Sequence, residues 1–410
     1  MKIWLINPYG TIPSEKWRDY SFSIIGKYLA DQGHEVVWWT SNFSHHFKSF
    51  RSSSFQEINV NSRFKINLIP TSGYKNNIGL RRVLRDWIFS IRMYLIGRKQ
   101  ISPDLILYYE SMLCLGFSAP ALSKYHNCKL VYHQMDLWPE LIIENLPLVL
   151  RPVFKFFFQP VFFVRKKVFK NLDGVMALAK PYLDSAISVE PGLKNKPNTV
   201  IYNGINVYEF RSKMSERPSM DLSRFSSSKN IKIIFAGTLG PTYDIENILK
   251  VAKTLNDSDK HITFIIAGDG PLREKVMNEE KKLKNLQFLG KLTSKDLCSI
   301  YKICDIGLAA YGSKSNVEMP DKFYDYTSSG LGIICSLRGE VMHHIVENDC
   351  GIIYEAGNSD SLLNAIEEMS SSKEILNKYK YNSFQCAYEY SSERQNQMLG
   401  KFLKKVSRDG

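Results

Sequence analysis

Short apolar runs and amphipathic stretches alternate along this chain in a strand–helix–strand rhythm. Residues 2–7 (KIWLIN) are apolar without a polar face, which predicts a buried strand, and a loop through Pro8 and Gly10 follows. A helix carrying Ile24, Ile25, Tyr28 and Leu29 comes next; Gly33 stops it, and 35–40 (EVVWWT) predicts a second strand. Apolar runs at 104–108 and 129–133, with helical segments between them, continue the series. A second series has strands at 231–236 (IKIIFA) and 261–267 (HITFIIA), helices at 244–255 and 271–283, and further strands at 305–309 and 331–336. The alternation occurring twice predicts an α/β chain of two Rossmann-like domains, 1–200 and 201–390, each around a parallel sheet. Residues 211–230 are rich in serine and charge, lack an apolar period, and are expected as an exposed excursion near the hinge.

Composition narrows the class. A chain of 410 residues with 44% hydrophobic positions supplies two cores, and neither low complexity nor a repeat at solenoid or propeller spacing is found. The net charge of +13 points to an anionic partner, which nucleic acid, anionic lipid and sugar phosphates all satisfy. The cations are scattered or mixed with phenylalanine and form no nucleic-acid-binding module. Seven cysteines, an odd number without a Cys-x-x-Cys pair, indicate neither a zinc site nor a disulfide framework and fit a reducing cytoplasm. The first residues hold only four apolar positions in a row, too few for a signal-peptide core.

Candidate chemistry gathers in the second half. The turns Gly237-Thr238-Leu239-Gly240 and Gly268-Asp269-Gly270-Pro271 each follow a strand and precede a helix, where glycine admits close backbone approach and helix amides favour an anion. In 318–336 (EMPDKFYDYTSSGLGIICS), Pro320 suits the first helical position and Gly330 the left-handed stop. Lys322 and Asp325 then share a face, an ammonium for diphosphate oxygens and a carboxylate for ribose hydroxyls; an ordinary surface ion pair has the same spacing.

The motifs YNGIN (202–206), FAGTLG (235–240), IAGDGPLREKV (266–276), FLGKL (288–292), YKICDIGLAAY (301–311) and PDKFYDYTSSGLGII (320–334), in that order, resemble the retaining glycosyltransferases with two facing Rossmann-like domains (GT-B type; glycosyl transferases group 1). DQGHEVVWWTS (31–41) and DLWPEL (136–141) are similar to the N-terminal half of members that build bacterial surface polysaccharides. The resemblance implies a nucleotide-sugar cleft between the domains and a last helix, from 392 to about 406 in a 391–410 tail, that crosses back to the first domain. It implies that Asp325 binds the ribose, that Lys322 lies beside the diphosphate, and that the backbone of Gly290, Lys291 and Leu292 reads the base. The two glycine turns, with Gly237, Thr238, Gly240, Gly268, Asp269 and Gly270, would face the phosphates, with Gly10 as the first-domain counterpart. Asp136 would stand at the acceptor side or reaction centre.

The chain departs from the family pattern at three places. Where the common form has a glutamate eight residues before Asp325, the residue is Val317, and Glu318 would serve in its place. The second glutamate is shortened to Asp325. The Arg and Lys that many members carry after the first glycine turn of the second domain are absent, with Thr238 and Tyr243 in that neighbourhood. Phosphate neutralisation then leans on Lys322, helix dipoles and a basic group from the first domain, and no metal or other cofactor is expected.

The implied activity is retaining transfer, of the hexosyl or N-acetylhexosaminyl type, from a nucleotide sugar, UDP-linked by family frequency, to a lipid-linked oligosaccharide in O-antigen or capsule biosynthesis. The same residues fit a non-catalytic sugar-nucleotide-binding subunit or a sugar-nucleotide epimerase. Acceptor choice would lie in loops such as 9–20 and 110–116. Residues 146–170 (LPLVLRPVFKFFFQPVFFVRKKVFK) mix phenylalanine with cations: they cannot span a bilayer, but either lie on an anionic membrane, placing the protein on the inner face of the cytoplasmic membrane, or pack on their own core. Residues 81–99 have the same mixture and are read as a helix whose apolar stripe faces its core. His133 near Asp136 is read as structural, and the adjacent pairs His45-His46 and His343-His344 do not share a helix face for a metal.

Overall fold

The computed structural model describes residues 1–15, 21–76, 79–109, 115–144, 146–222, 225, 230–258 and 260–408. It divides into two compact units: Met1–Asn203 with Gln395–Gly410, and Gly204–Arg394.

In the first unit, β1 (Lys2–Ile6), β2 (Glu35–Ser41), β3 (Gln56–Asn59), β4 (Phe64–Ile69), β5 (Leu105–Tyr109), β6 (Lys129–Gln134), β7 (Gly174–Ala177) and β8 (Asn198–Val200) form one sheet. Their order is β3-β4-β2-β1-β5-β6-β7-β8, parallel except for β3 against β4. Apolar residues on both faces explain the near-continuous runs, because helices cover each side. One face packs Phe22, Ile25 and Leu29 together with Leu399, Phe402, Leu403 and Val406 of the last helix, Ser392–Arg408. The other packs Phe89 and Met93 of Leu80–Gly97, Leu122 of Leu115–His126, and Val168 and Phe169 of Gln159–Lys170. The polar edge strand β3 (QEIN) is largely exposed, a protection against edge pairing.

The second unit is built from β9 (Ile231–Ala236), β10 (Ile262–Ala267), β11 (Leu286–Gly290), β12 (Ile306–Ala309), β13 (Gly332–Cys335) and β14 (Gly351–Ile353). These run parallel in the order β11-β10-β9-β12-β13-β14, the 3-2-1-4-5-6 arrangement of a dinucleotide-binding domain.

Two expectations need correction. The stretch from 211 is not wholly an excursion: Val207–Ser215 is a helix, and Arg211 donates to the carbonyls of Ser328 and Phe384 while lying 3.5 Å from the Phe384 ring. Ser219 donates both its amide and its hydroxyl to Asp296, and residues 223–224 and 226–229 lie outside the described residues. The helix Leu80–Gly97 does not bury its only apolar stripe. Phe89, Met93 and Gly97 pack inward, but Leu84, Trp87, Ile91 and Leu95 form a second stripe left exposed, with Trp87 stacked on Phe117 at 5.6 Å.

In 146–170, the helices Arg151–Phe157 and Gln159–Lys170 bury Val168 and Phe169 but leave Phe156 75% and Phe157 71% exposed, with Leu148, Val149 and Phe163. No acidic residue occurs in that segment or in 115–126. Among the described residues, no helix is long and apolar enough to cross a membrane.

Candidate functional site

In a doubly wound sheet, ligands bind beyond the carboxyl ends of the strands, where the strand order reverses. In the second unit that point lies between β9 and β12. The helix Asp321–Ser329 follows β12, and it ends at Gly330 in the left-handed conformation (φ 70°). Pro320 stands one residue earlier than expected, as the extended residue before the helix, where its fixed φ and absent N–H cost nothing. Tyr326 secures the helix to the sheet, its hydroxyl donating to the Leu308 carbonyl at 3.0 Å.

Lys322 is carried on the first turn and is only 7% exposed. Its Nζ lies 4.3 Å from the centre of the Tyr243 ring, 5.0 Å from Tyr311 and 5.1 Å from Phe235. These rings come from the loop before Ile245–Asn256, the end of β12 and β9, and they hold the ammonium by its attraction to π faces. Burial pushes the Lys322 ammonium down to about 8, against Asp325 and Asp321, which favour the charged form. A Cβ on Gly237 would lie 2.7 Å from Lys322 Nζ, so the first glycine turn faces the ammonium. Asp325, one turn on, is half-buried.

The glycine turns also meet a packing demand that their own sequence does not display. The Gly237 amide donates to Ala267 O, Leu239 to Asp269 O, Gly268 to Gly290 O, and Gly270 to Asp269 Oδ1. A Cβ on Gly268 would stand 1.8 Å from the Gly237 carbonyl oxygen, and one on Gly270 would stand 2.5 Å from that of Leu239. The turns are glycine-rich because they stack on one another, and those four amides are taken. Neither turn opens a helix directly: the helices begin at Ile245 and Arg273. Thr238 and Asp269 are exposed, Gly240 is buried without crowding, Gly290 needs its positive φ of 65°, and exposed Lys291 and half-buried Leu292 follow β11.

Glu318 does not stand free beside Lys322. Its Oε2 accepts the Glu340 amide at 2.7 Å and its carbonyl accepts that of Val341, so it caps the helix Glu340–Glu347 after β13. The cause is Gly339, whose missing side chain leaves room for this carboxylate.

In the first unit, Asp136 follows β6 and accepts the hydroxyl of Tyr109 at 2.6 Å. Gly10 is explained by packing: a Cβ there would meet Trp38 at 2.7 Å, and the Gly10 carbonyl accepts Arg51 Nη2 at 2.8 Å. The loop so pinned presents Tyr9, whose hydroxyl donates to Asp86 at 2.5 Å. His133 is fully buried, stacked on Phe22, and pushed down to about 3 by burial, which makes it a neutral core group. Residues 16–20 and 110–114 of the two acceptor-side loops lie outside the described residues. Among the described residues, no group of three or more His, Cys, Asp or Glu side chains is arranged to hold a metal ion, and no disulfide is formed. Sequence reasoning missed Phe235 and Tyr311 around Lys322, and Tyr109 beside Asp136; each lies outside the element that carries its partner.

Two family models match the chain, Glycosyltransferase Family 4 over residues 24–209 and Glycosyl transferases group 1 over residues 220–385. The chitobiosyldiphosphodolichol beta-mannosyltransferase of Kluyveromyces lactis is 29% identical over 136 residues, 30% of each chain. That of Candida albicans is 23% identical over 180 residues, 42% of this chain and 36% of the relative. The chain thus spans about a third of the length of the curated relatives it matches. HepE of Anabaena, solved in complex with UDP, superposes with a TM-score of 0.70 at 15% identity, covering 98% of this chain and all of HepE. An E. coli trehalose-6-phosphate structure bound with UDP-2-fluoro glucose gives a TM-score of 0.71 at 11% identity, covering 100% and 99% of the two chains. At these identities the structures establish the fold, that of the two-domain GT-B glycosyltransferases. One model thus lies on each half of the chain: the second half carries a Glycosyl transferases group 1 domain and the first a Glycosyltransferase Family 4 domain.

Proposed function

We propose that the protein transfers a glycosyl group, with retention, from a nucleotide sugar to a lipid-linked saccharide in the building of a bacterial surface polysaccharide. The observation that carries the reading is the buried Lys322 at the switch point of the group 1 unit, with Asp325 one turn behind it on the same helix. As the glycosidic bond to the nucleotide breaks, negative charge grows on the leaving phosphate; an ammonium already held in a half-apolar recess stabilises that charge without reorganising. Asp325 accepts the ribose hydroxyls and keeps Lys322 charged through its carboxylate. Asp136, oriented by Tyr109, stands on the acceptor side. Glu318 acts by positioning the loop after β13. The reading calls for no metal or other cofactor, since Lys322 supplies the charge stabilisation.

The lipid-linked acceptor is supported by the names of the dolichol-linked relatives, and the UDP donor by HepE in its UDP complex. Docking to the inner face of the cytoplasmic membrane is supported by the exposed phenylalanines of 146–170 and the exposed stripe of Leu80–Gly97, both flanked by cations. The test is a thermal-shift panel of UDP- and GDP-sugars on the wild type and Asp325→Ala, followed by transfer to lipid-diphosphate saccharides with the product anomer read by NMR. One preferred sugar nucleotide, lost in Asp325→Ala, is expected; no shift with any nucleotide from folded protein would overturn the reading. A product of the anomeric configuration opposite to the donor's would overturn retention alone.

A further inference from the structure

The sheet of the first unit reverses order between β1 and β5, so the segment 7–15 that leaves β1 stands at that unit's own switch point. One side chain from the loop after β2 holds this segment in place. The Arg51 guanidinium, 4% exposed, donates through Nε and Nη2 to the two carboxylate oxygens of Glu15 at 3.0 and 2.8 Å. Nη2 also donates to Gly10 O at 2.8 Å, and Nη1 donates to Ser41 O at 3.0 Å. Glu15 closes the latch from inside its own segment, its Oε2 accepting the Ile12 amide at 2.9 Å. Burial works against the Glu15 carboxylate, but hydrogen bonds from Arg51 and Ser44 outweigh it and hold the carboxyl below its ordinary value.

The base of Arg51 is fixed in turn. Its amide donates to Asn42 O at 2.7 Å, and Asn42 Nδ2 donates to Ser52 O at 2.8 Å. Asn42 Oδ1 accepts the Thr71 amide at 2.8 Å, and the Ser41 and Thr71 hydroxyls are bonded at 2.7 Å. The chain segments leaving β1, β2 and β4 thus meet in one buried network, and Arg51 is the member that reaches the segment at the switch point.

The network leads to the candidate acceptor-side carboxylate. Gly10, whose carbonyl Arg51 holds, is preceded by Tyr9, and the Tyr9 hydroxyl donates to Asp86 at 2.5 Å. The Tyr9 ring meets that of Tyr109 edge-on, with centres 6.0 Å apart, and the Tyr109 hydroxyl donates to Asp136 at 2.6 Å. At 4% exposure Arg51 has no face to offer a substrate, so it acts through these contacts.

We propose that Arg51 is a positioning residue for the transfer reaction: it fixes the segment 7–15 and, through Tyr9 and Tyr109, the place of Asp136, which on the acceptor reading given above orients the acceptor. A guanidinium is required because four acceptor atoms in three directions are served by one planar fork. A lysine keeps the charge beside Glu15 but cannot reach Gly10 O, Ser41 O and both carboxylate oxygens together.

The experiment compares the full chain with Arg51→Lys, Asp136→Asn and the double variant, with circular dichroism to confirm folding; Glu15→Gln loosens the same latch from the other side and serves where Arg51→Lys does not fold. Three readouts are taken: hydrogen exchange of the peptide covering 7–15, UDP titration, and kcat/KM for a lipid-diphosphate saccharide as acceptor. Arg51→Lys is expected to speed exchange in 7–15 with β1 and β2 unchanged, and to lower acceptor kcat/KM by about ten-fold or more, because a displacement of about 1 Å is enough to do so, while UDP affinity stays within about two-fold. In the Asp136→Asn background the same change is expected to cost little more, since the two residues act in one chain of contacts. Unchanged exchange in 7–15 overturns the latch. An equal loss of UDP affinity, or a full additional loss in the double variant, overturns the route through Asp136. No transfer by the wild type to any lipid-diphosphate saccharide, with exchange in 7–15 still faster in Arg51→Lys, keeps the latch and overturns the acceptor reading alone.

Discussion

Replacing Lys322 by methionine should make the protein more stable and less able to bind a nucleotide. The folded chain holds this ammonium at about 8, below the 10.5 of an unperturbed lysine, so burying it charged at pH 7 costs about 3 kcal/mol. The three rings around Nζ return part of that, about 1 kcal/mol in total, which leaves a net penalty of about 2 kcal/mol that methionine of similar volume does not carry. For a unit of this size the melting temperature should rise by about 4–8 °C at pH 7. The sign with pH follows from the depressed value. Between about 8 and 10.5 the unfolded chain binds more protons than the folded one, so wild-type stability gains on Lys322→Met as pH rises through that window and the difference closes. Nucleotide affinity moves the other way. A diphosphate favours the ammonium, so wild-type affinity should be flat below about pH 8 and weaken up to about ten-fold per pH unit above it. Lys322→Met should bind about 10–100-fold more weakly at pH 7 and lose this slope. Calorimetric melting at pH 7 and 9.5, with UDP titrations across the same range, reads both. A variant that melts lower than the wild type at pH 7, or binds UDP equally well with the same slope, would refute the reasoning.

Two further outcomes follow from the geometry. Gly268→Ala, which forces a Cβ to within 1.8 Å of a backbone oxygen at φ 149°, should destabilise the second unit by about 3 kcal/mol or more in denaturant unfolding, whereas Gly240→Ala, whose nearest contact is 3.6 Å, should stay within about 0.5 kcal/mol; equal effects would show that the stacked turns are not tightly packed. Phe156→Ser with Phe157→Ser should lower partition onto anionic-lipid vesicles by about ten-fold or more while leaving UDP binding intact, as read by flotation, and undiminished partition would remove this face from the membrane contact.

What was legible in the sequence was whatever is decided locally. Strands such as β1, β2, β9 and β10 are apolar on both faces and announce themselves, and Gly330 marks its helix end through its own backbone. Lys322 and Asp325 were visible as neighbours because helical spacing alone brings them together. Strands β3, β4, β7, β8, β11 and β14 went unread: β3 is polar, and β7, β8 and β14 span only three or four residues, too few for a pattern. The purpose of the glycine turns was illegible because the atoms that demand them belong to the other turn. Gly268 answers to the carbonyl of Gly237, more than 30 residues away. Leu80–Gly97 deceived for a related reason. Its period shows that apolar residues repeat, but not that there are two stripes and one inward face, nor that the inward face also takes in Arg85 and Asp86.

The choice of lysine as the cation of the second unit is itself informative. An arginine keeps its charge at any pH the fold survives, and its fork fixes the orientation of a phosphate; a lysine in an apolar recess can be brought close to losing its proton. Lys322, at about 8 and enclosed by three rings, suits a phosphate whose charge grows during the reaction, because the ammonium is stabilised most when that charge is greatest. On this argument the alkaline limb of the transfer rate belongs to the second unit. It should follow the ionisation of Lys322, falling as pH rises above about 8.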